Sequence, residues 1–430
     1  MLRIAHLADI HIGMENYGRL DPATGLNSRL KDFLSSLDEA LDGALAARVD
    51  LLVIAGDVYK SRDPSPTHQR EFARRIRRIV DAGVQVFIVA GNHDIPLSAG
   101  RASSVEIFRA LDVRGVSLAR TVGVQRIETP AGPVQVLAFP WTVRSHIVAQ
   151  PEMKNKTIAE LNEAMVQLNR AKLLADAQTL DPALPSILVG HAHVFGARVG
   201  AERLLTMGSD PVYDLSTFDL PGVDYVALGH IHKHQVLAYG DPPVVYPGSI
   251  DRVDFGEEGE DKGWVYVEVP EKGRANPEFR RVNARPFVTI DARVTGENPT
   301  EDVVRAIARK GNLIPDAVVK LRIDVPAERL PELRDDDIRA QLKGAFFLAP
   351  IERNVQRQTR QRVTLGGMGI QHAPPLDALS IYLAEKQLDP ERREILLRYA
   401  RHLVEPGAPA PSMSNGPSEP TPTPAAAATA

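Results

Sequence analysis

The chain has 430 residues, 43% of them hydrophobic, and a formal net charge of −4. This length and apolar content can supply more than one core, which predicts two or three domains. The absence of cysteine excludes disulfides, thiolate nucleophiles and thiolate-bound metal clusters, so any metal must bind nitrogen and oxygen ligands. The negative net charge argues against binding nucleic acid through bulk positive charge, so any such contact must come from local patches and from bound metals.

The N-terminal sequence lacks the features of a secretory signal, because it leads directly into an apolar strand pattern. The purest apolar runs, such as Leu51–Ala55, are far shorter than the roughly 20 residues that a membrane helix needs. We therefore expect a cytoplasmic protein without a membrane segment.

Near-continuous apolar runs predict strands that are buried on both faces. Helix-like segments from Leu30 to Ala47 and from His68 to Asp81 separate the first three runs, which predicts a βαβαβ unit and a parallel sheet. The five runs are Ile4–Ala8, Leu51–Ala55, Val86–Ala90, Ile187–Val189 and Tyr225–Leu228. Shorter runs predict a second, largely antiparallel sheet packed on the first: Val134–Phe139, Val236–Tyr239, Val244–Tyr246 and Trp264–Val269.

From about residue 286 the pattern changes to short alternating strands and helices. This predicts a separate α/β domain over residues 286–351. Its elements are Phe287–Val294, a helix from Glu301 to Lys310, Val318–Val325, a helix from Asp335 to Lys343, and Phe346–Ile351.

The last part of the chain predicts a linker, a helical hairpin and a tail. Residues 352–371 form a basic linker that contains Arg353, Arg357, Arg360 and Arg362 before a glycine-rich break. Residues 372–403 place apolar side chains at helical spacing, and Asp389-Pro390 supplies an N-cap and first turn for the second helix. Residues 404–430 have almost no large apolar side chain, which predicts a disordered tail.

Side chains that can bind metal follow each of the five buried strands. The carboxyl ends of strands in an open α/β sheet share one edge, so these side chains should converge. A lone histidine at a strand end is usually structural, but convergence of five loops favours a metal site. The loops are Asp9-Ile10-His11, Gly56-Asp57, Gly91-Asn92-His93-Asp94, Gly190-His191 and Gly229-His230-Ile231-His232. The glycine before four of these loops permits a tight turn with positive φ.

This mixture of imidazole, carboxylate and amide ligands suits manganese, iron or zinc, and the sequence does not choose among them. Seven such ligands with one shared carboxylate would bind two divalent ions and leave positions open for water and substrate. Two-metal sites with ions roughly 3.5–4 Å apart cleave phosphoesters.

The five motifs, in this order, resemble those of the calcineurin-like metallophosphoesterases. Gly-Asn-His-Asp at 91–94 and Gly-His-Ile-His at 229–232 are specific in combination. The layout of the chain to residue 403, with Tyr246-Pro247-Gly248-Ser249 and Pro375-Leu376-Asp377-Ala378-Leu379, is similar to the bacterial SbcD nucleases and their Mre counterparts. The resemblance is strong in the first 250 residues and weaker afterwards. It implies a mixed α/β fold: a two-sheet sandwich flanked by helices over residues 1–285, then the capping α/β domain and the helical hairpin.

The resemblance also assigns roles to residues. One ion would be bound by Asp9, His11 and His232, the other by Asn92, His191 and His230, and Asp57 would bridge them. His93 would protonate the departing 3′ oxygen, and Asp94 is expected to orient its imidazole. Lys60, three residues after Asp57, occupies a position where some relatives carry histidine, and it is left outside the site.

By the same resemblance, the protein would be a Mn²⁺-dependent 3′→5′ double-strand exonuclease and single-strand or hairpin endonuclease of a DNA repair and recombination complex. It would form a homodimer and bind an SbcC-type ATPase through residues 372–403. Two alternatives stay open. A metallophosphoesterase for a small phosphodiester or phosphoprotein shares the metal motifs but has no need of the capping and docking regions. A non-catalytic adaptor that tethers an ATPase to DNA ends predicts a lost ligand, and none is missing.

Other polar residues receive simpler interpretations. His6 lies inside the first strand and is predicted to pack, while His193 and His234 are near enough in sequence to orient a ligand. The run Arg74-Arg75-Ile76-Arg77-Arg78 is typical of a solvated helix face, although it could contact phosphates. Surface or capping positions are predicted for His68, His146, His372 and His402.

Overall fold

The computed structural model describes residues 1–96, 101–144, 153, 155–200, 210–356, 374–385 and 389–404. The chain divides into two compact units, Met1–Gln356 and Arg357–Ala430. Among the described residues, no helix combines the length and apolar character needed to cross a bilayer.

The first sheet is built around the predicted βαβαβ unit. Its strands are β1 (Leu2–Leu7), β2 (Leu51–Ala55), β3 (Gln85–Val89), β4 (Val116–Ala119), β13 (Gly263–Glu271) and β14 (Arg274–Arg281). They lie in the order β14-β13-β1-β2-β3-β4, with β1 to β4 parallel and β13 antiparallel to β1. Helices α1 (Ser28–Ala46) and α2 (Pro66–Asp81) make the crossovers, which confirms the predicted unit. The placement of Trp264–Val269 in the second sheet was wrong, because β13 covers the free edge of β1 instead.

The second sheet is more parallel than the sequence predicts. Its strands are β5 (Gly123–Thr129), β6 (Gly132–Phe139), β7 (Ser186–His191), β10 (Tyr225–Gly229), β11 (Gln235–Ala238) and β12 (Val244–Tyr246), in the order β11-β12-β10-β7-β6-β5. The central strands β6, β7, β10 and β12 are parallel, and only β5 and β11 pair antiparallel. The prediction of a largely antiparallel sheet was wrong because β7 and β10 belong here and not beside β3.

The two sheets share a buried apolar layer. Side chains of the first sheet such as Ile4, Val53 and Phe87 belong to the same buried cluster as Val136 and Val189 of the second. The outer faces are covered by separate clusters, one of which includes α1 and α2. Strands buried on both faces explain why the sequence shows continuous apolar runs rather than alternation.

Helix α4 (Ile158–Ala177) was not predicted, although its start carries a capping box. The Thr157 side chain accepts from the Glu160 backbone N–H at 3.3 Å, and the Glu160 carboxylate accepts from the Thr157 N–H at 2.7 Å. Shorter elements are α3 (Ile107–Ala110), β8 (His193–Val194) and β9 (Val212–Tyr213).

The residues of the predicted capping domain form a separate sheet and a separate buried cluster within the unit Met1–Gln356. Parallel strands β15 (Phe287–Arg293), β16 (Val318–Pro326) and β17 (Phe347–Leu348) are packed by α5 (Pro299–Arg309) and α6 (Asp335–Gln341). A further strand, β18 (Glu352–Gln356), pairs with β16. The predicted linker therefore does not begin at residue 352, because these residues complete the capping sheet. Its remainder and the predicted tail from residue 405 lie outside the described residues.

The second unit contains α7 (Pro375–Glu385) and α8 (Pro390–Val404). Asp389 caps α8 as predicted, since its side chain accepts from the Arg392 N–H. Large apolar side chains of α8 are exposed: Ile395, Leu396, Tyr399 and Leu403.

Candidate metal centre

The loops after β1 and β2 are joined by their backbones. Asp9 N–H donates to Gly56 O at 3.1 Å, and His11 N–H donates to Asp57 O at 3.1 Å. Asp9, His11 and Asp57 have φ values of 50°, 48° and 53°. Non-glycine residues rarely adopt such angles, and they persist where the surrounding structure imposes them. The strain falls on the predicted ligands themselves.

Most of the motif glycines are needed because neighbouring chain segments lie too close to leave room for a side chain, and not because the backbone has a positive φ. A Cβ at Gly91 would lie 2.1 Å from Asp57 Oδ1, and one at Gly229 would lie 2.0 Å from Ala55 O. Among the four motif glycines only Gly56 has a positive φ, of 89°. Side chains at Gly91 or Gly229 would therefore push neighbouring strand ends apart.

Asp9, His11 and His232 form one group of potential ligands, with ligand atoms within 4.8 Å of one another. The Nε2 atoms of His11 and His232 are 3.0 Å apart. That spacing suits two imidazoles bound to one ion through metal–nitrogen bonds of about 2.1 Å. His230 N–H donates to both oxygens of Asp9, at 3.1 and 3.0 Å, which orients this carboxylate.

The second group lies beside the first. Asp9, Asp57 and His191 offer ligand atoms within 4.8 Å of one another. The Oδ1 atom of Asn92 lies 2.9 Å from His191 Nε2 and 3.2 Å from His230 Nδ1. The structure thus brings all seven predicted ligands together, with Asp57 facing both His191 and, at 4.0 Å, His11.

The donor set fits divalent cations. Asp9 and Asp57 are buried, and neither pairs with lysine or arginine in the described part of the chain. Two buried carboxylates need a compensating positive charge. His191 donates through Nδ1 to Ala55 O at 2.7 Å, so its Nε2 is the atom that can offer a lone pair.

Burial shapes the protonation of the cluster. It lowers the pKa of His11 and of His230 well below the ordinary value, so both rings are neutral near pH 7 and can act as ligands. Burial raises the pKa of Asp9 to about 6. At His191 burial acts to lower the pKa, but attraction to Asp57 outweighs it and raises the pKa to about 9. In the metal-free protein, His191 is therefore protonated near pH 7, and its positive charge compensates the buried carboxylate of Asp57 as a metal ion would.

His93 lies outside both ligand groups but next to them. Its ring centroid is 5.1 Å from that of His11, and its backbone N–H donates to Asp57 Oδ1 at 2.8 Å. Its Nδ1–H donates to Lys60 O at 2.7 Å, and the side chain is only partly buried. The other ring nitrogen, Nε2, remains available to a substrate.

Asp94 does not orient His93, and that expectation was wrong. Its fully buried carboxylate accepts from the backbone N–H groups of Val58, Tyr59 and Gly91, at 3.3, 3.2 and 3.0 Å. Burial, reinforced by the charge of Asp57, raises the pKa of Asp94 to about 7. Asp94 joins the loops after β2 and β3, and the Lys60 carbonyl orients His93 instead.

Of the other histidines, His6 packs inside the fold as predicted, and the contacts of His193 and His234 differ from each other. His6 is buried with Nδ1 2.9 Å from the Tyr225 hydroxyl. His234 stacks on Phe279 and contacts Tyr246 O at 2.8 Å, so it does not orient a ligand through those contacts. His193 lies beside His230, with ring centroids 5.9 Å apart.

Sequence reasoning did not identify two residues that contact the proposed ligands, Glu257 and Trp141. Glu257 Oε1 lies 2.8 Å from His232 Nδ1, and the Trp141 ring packs against His230 and His191 with centroid distances of 5.1 and 6.0 Å. Glu257 stands 25 residues after His232, a separation that no local motif encodes. The partly buried Trp141 follows β6 at the same edge as the motif loops, which is the only positional signal for it.

A cleft of about 380 Å³ opens beside Asn92. Its lining includes Arg62, Trp141, Thr142, Arg144 and Asp210, so two arginines, one carboxylate and an aromatic ring lie beside Asn92 of the ligand cluster. By contrast, the arginine-rich face of α2 is paired with acids: Arg75 with Asp38 and Glu71, Arg77 with Asp81. That pairing favours the solvated-face interpretation of the run.

Comparisons with known proteins give a matching family model and relatives that align with most of the chain. The family model described as calcineurin-like phosphoesterase matches residues 2–234, more than half of the chain. The DNA double-strand break repair protein Mre11 of Archaeoglobus fulgidus is 24% identical over 82% of this chain and 76% of its own length. The SbcD component of the nuclease SbcCD from Rhodobacter capsulatus is 27% identical over 81% of this chain and 88% of its own. A solved dimetal phosphatase from Danio rerio aligns with 64% of this chain and 98% of its own, at 10% identity and a TM-score of 0.34, a likeness too weak to carry an argument.

Proposed function

The chain belongs to the calcineurin-like phosphoesterase family and is a metal-dependent phosphodiester hydrolase, and from that premise we propose that it is the nuclease component of a DNA repair complex. We infer Mn²⁺-dependent 3′→5′ exonuclease and single-strand or hairpin endonuclease activity. The observation that carries the proposal is the clustering of seven metal-binding side chains, Asp57 and six others, with His93 directly beside Asp57. Relatives named as a DNA double-strand break repair protein and as a nuclease align over most of the chain, which supports DNA as the substrate.

The seven proposed ligands would hold two divalent ions, and the two ions would have different sets of ligand residues. Asp9, His11 and His232 would hold one ion, and Asn92, His191 and His230 the other, with Asp57 shared. When bound, such ions lower the pKa of a water and offset the charge of the phosphate. The hydrogen bond from His191 to Ala55 O and the contact of His232 with Glu257 orient two of these imidazoles.

His93 is proposed as the general acid. The Lys60 carbonyl accepts from Nδ1, so Nε2 is the position from which a proton can pass to the 3′ oxygen as the bond to phosphorus breaks. The link from His93 N–H to Asp57 keeps this ring beside the ligand cluster. Asn92, the residue before it, borders the cleft that contains Arg62 and Trp141, where a nucleotide next to the scissile phosphate would fit.

The partner proposals rest on the exposed apolar face of α8. Its large side chains are accessible within the described residues, which favours docking of a partner protein. We propose an SbcC-type ATPase at residues 372–403, and a homodimer in the cytoplasm. These assignments follow the resemblance to SbcD and Mre nucleases.

The test is cleavage of end-labelled linear and hairpin DNA with Mn²⁺, comparing the unmodified protein with His93→Ala and Asp57→Ala. We expect cleavage by the unmodified protein and by neither variant, while His93→Ala still binds metal. Hydrolysis of bis-p-nitrophenyl phosphate without any DNA cleavage, even with the ATPase present, would instead support a small-substrate phosphodiesterase. Partner binding without hydrolysis of either substrate would support an adaptor.

A further inference from the structure

Glu257 connects a proposed metal ligand to the interior of the two-sheet region, residues 1–285, which is called the catalytic domain below. Its Oε1 lies 2.8 Å from His232 Nδ1, and its Oε2 lies 2.7 Å from Lys262 Nζ. The second oxygen also accepts from the Val253 N–H at 3.0 Å. Glu257 and Lys262 are each about 1% exposed, so these groups cannot exchange their partners for water.

Lys262 contacts the backbone of His232 directly and its ring indirectly, through Glu257. Its ammonium donates to the His232 backbone carbonyl at 3.0 Å while pairing with the carboxylate that faces the His232 ring. The same ammonium donates to Ser249 Oγ at 2.9 Å. The ring and the backbone of His232 are therefore positioned by the buried ion pair of Glu257 and Lys262, in which Lys262 is also paired with Glu260 at 3.0 Å.

The segment that carries Glu257 also contacts the capping domain. Glu258 Oε1 accepts from the Thr289 N–H of β15 at 2.9 Å. The Phe255 ring packs edge-on against Phe287, with centroids 4.9 Å apart, and Lys320 Nζ lies 4.3 Å from its centroid. Within four residues, the chain thus faces the capping sheet on one side and His232 on the other.

We propose that Glu257 is a positioning residue for His232, and that the segment Phe255–Glu258 makes the affinity of the ion at His232 depend on its contact with the capping domain. The proposal rests on the proposed two-ion site but not on DNA cleavage. A ligand held in the correct tautomer and orientation binds metal more tightly, and loss of such a partner typically costs 10–100-fold in affinity. A shift of the segment by its capping contacts would change the same orientation.

The test measures how many Mn²⁺ ions the full chain binds and the affinity of each, by isothermal titration calorimetry and electron paramagnetic resonance in the absence of DNA. The double variant Glu257→Met/Lys262→Met removes the acceptor without leaving either of these two charges buried alone. Glu260, which also pairs with Lys262 at 3.0 Å, is only partly buried and can turn to water in this variant. We expect one of two ions to bind roughly 10–100-fold more weakly and the other to be unchanged. Glu257→Gln keeps an oxygen that can accept from Nδ1–H and should restore binding to within a few-fold of the unmodified protein.

Phe255→Ala tests the capping end of the segment. It should weaken the same ion several-fold, while Phe346→Ala should weaken neither. Phe346 stacks on Arg285, which pairs with Asp32 of α1, so it joins the capping domain to the catalytic domain at a different place. Asp224→Asn removes another buried carboxylate that accepts from the Ser186 and Gly273 backbone N–H groups, and controls for general destabilisation.

Unchanged binding of both ions in the double variant, or equal weakening of both, would overturn the positioning role. Equal effects of Phe255→Ala and Phe346→Ala, or none from Phe255→Ala, would overturn the dependence on the capping contact. Thermal unfolding of each variant shows whether it is folded. The metal-binding test uses no DNA, so it is independent of the cleavage assay. A protein that binds two ions but cleaves no DNA would refute the proposed nuclease activity and leave this inference intact.

Discussion

The Nδ1–H of His93 donates to the backbone carbonyl of Lys60 at 2.7 Å. This bond selects Nε2 as the nitrogen that can meet a substrate, and it makes the backbone at Lys60, not its side chain, the partner of the proposed acid. The lysine ammonium instead lies 3.4 Å from Asn16 Oδ1.

His93→Ala should lower DNA cleavage by about 10²–10⁴-fold, the usual range for a lost general acid. The same variant should bind two Mn²⁺ ions as the unmodified protein does, because His93 lies outside both ligand groups. Single-turnover cleavage with a parallel calorimetric titration measures both properties. Loss of an ion in this variant would show that His93 is a ligand after all.

Asp57→Ala should weaken both ions, since its carboxylate faces the histidines of both groups. Asn92→Ala is the matched comparison: its side-chain oxygen lies beside His191 and His230, which are assigned to the same ion, so this variant should weaken that ion alone. Mn²⁺ titrations of the two variants distinguish a shared from a single ligand. Identical binding curves would contradict the bridging role of Asp57.

Asp94→Ala should lower the free energy of unfolding by about 3 kcal/mol, because buried backbone donors of Val58, Tyr59 and Gly91 lose their acceptor. Urea denaturation of the metal-free protein measures the loss. Asp94→Asn keeps one acceptor oxygen and should lose less. A change in the pH profile of cleavage with no loss of stability would instead restore the predicted role in orienting His93.

His6 predicts a pH dependence of stability. Burial lowers the pKa of His6 to about 3, whereas an unfolded histidine titrates near 6.5. Between these values the unfolded chain binds the extra proton, so stability falls as the pH is lowered from about 6.5 to 3, by up to about 1.4 kcal/mol per pH unit. Denaturation of the metal-free protein across this range should show a shallower slope in His6→Gln. Parallel slopes would mean that His6 is protonated in the fold.

Deletion of residues 372–403 should abolish binding of the SbcC-type ATPase, because it removes the exposed apolar side chains of α8. Manganese-dependent cleavage by the isolated protein should persist, since unit Met1–Gln356 holds the predicted ligands. Pull-down with the ATPase and a cleavage assay give the two readouts. A narrower variant, Leu396→Glu/Tyr399→Glu, checks the α8 face without shortening the chain. Association that survives both changes would refute the docking assignment.

Local patterns in the sequence were sufficient to predict the strands that position the proposed ligands. Continuous apolar runs identified β1, β2, β3, β7 and β10, and each motif is adjacent in sequence to the strand that positions it. Helices α1 and α2 and the capping α/β unit followed from periodicity, because helix and strand place apolar residues at different spacings. Residue chemistry alone indicated nitrogen and oxygen ligands.

The tertiary structure decided which strands are neighbours and which groups orient the site. Continuous apolar runs show that a strand is buried on both faces but not which sheet it joins, so β7 and β10 entered the second sheet and β13 the first. The ligand cluster consequently forms between the edges of two packed sheets rather than along one. Three kinds of contact join residues far apart in sequence: the Lys60 carbonyl with His93, the Val58 and Tyr59 backbone donors with Asp94, and Glu257 with His232. Such contacts leave no periodic pattern in the sequence, because they arise only from the packing of the folded chain.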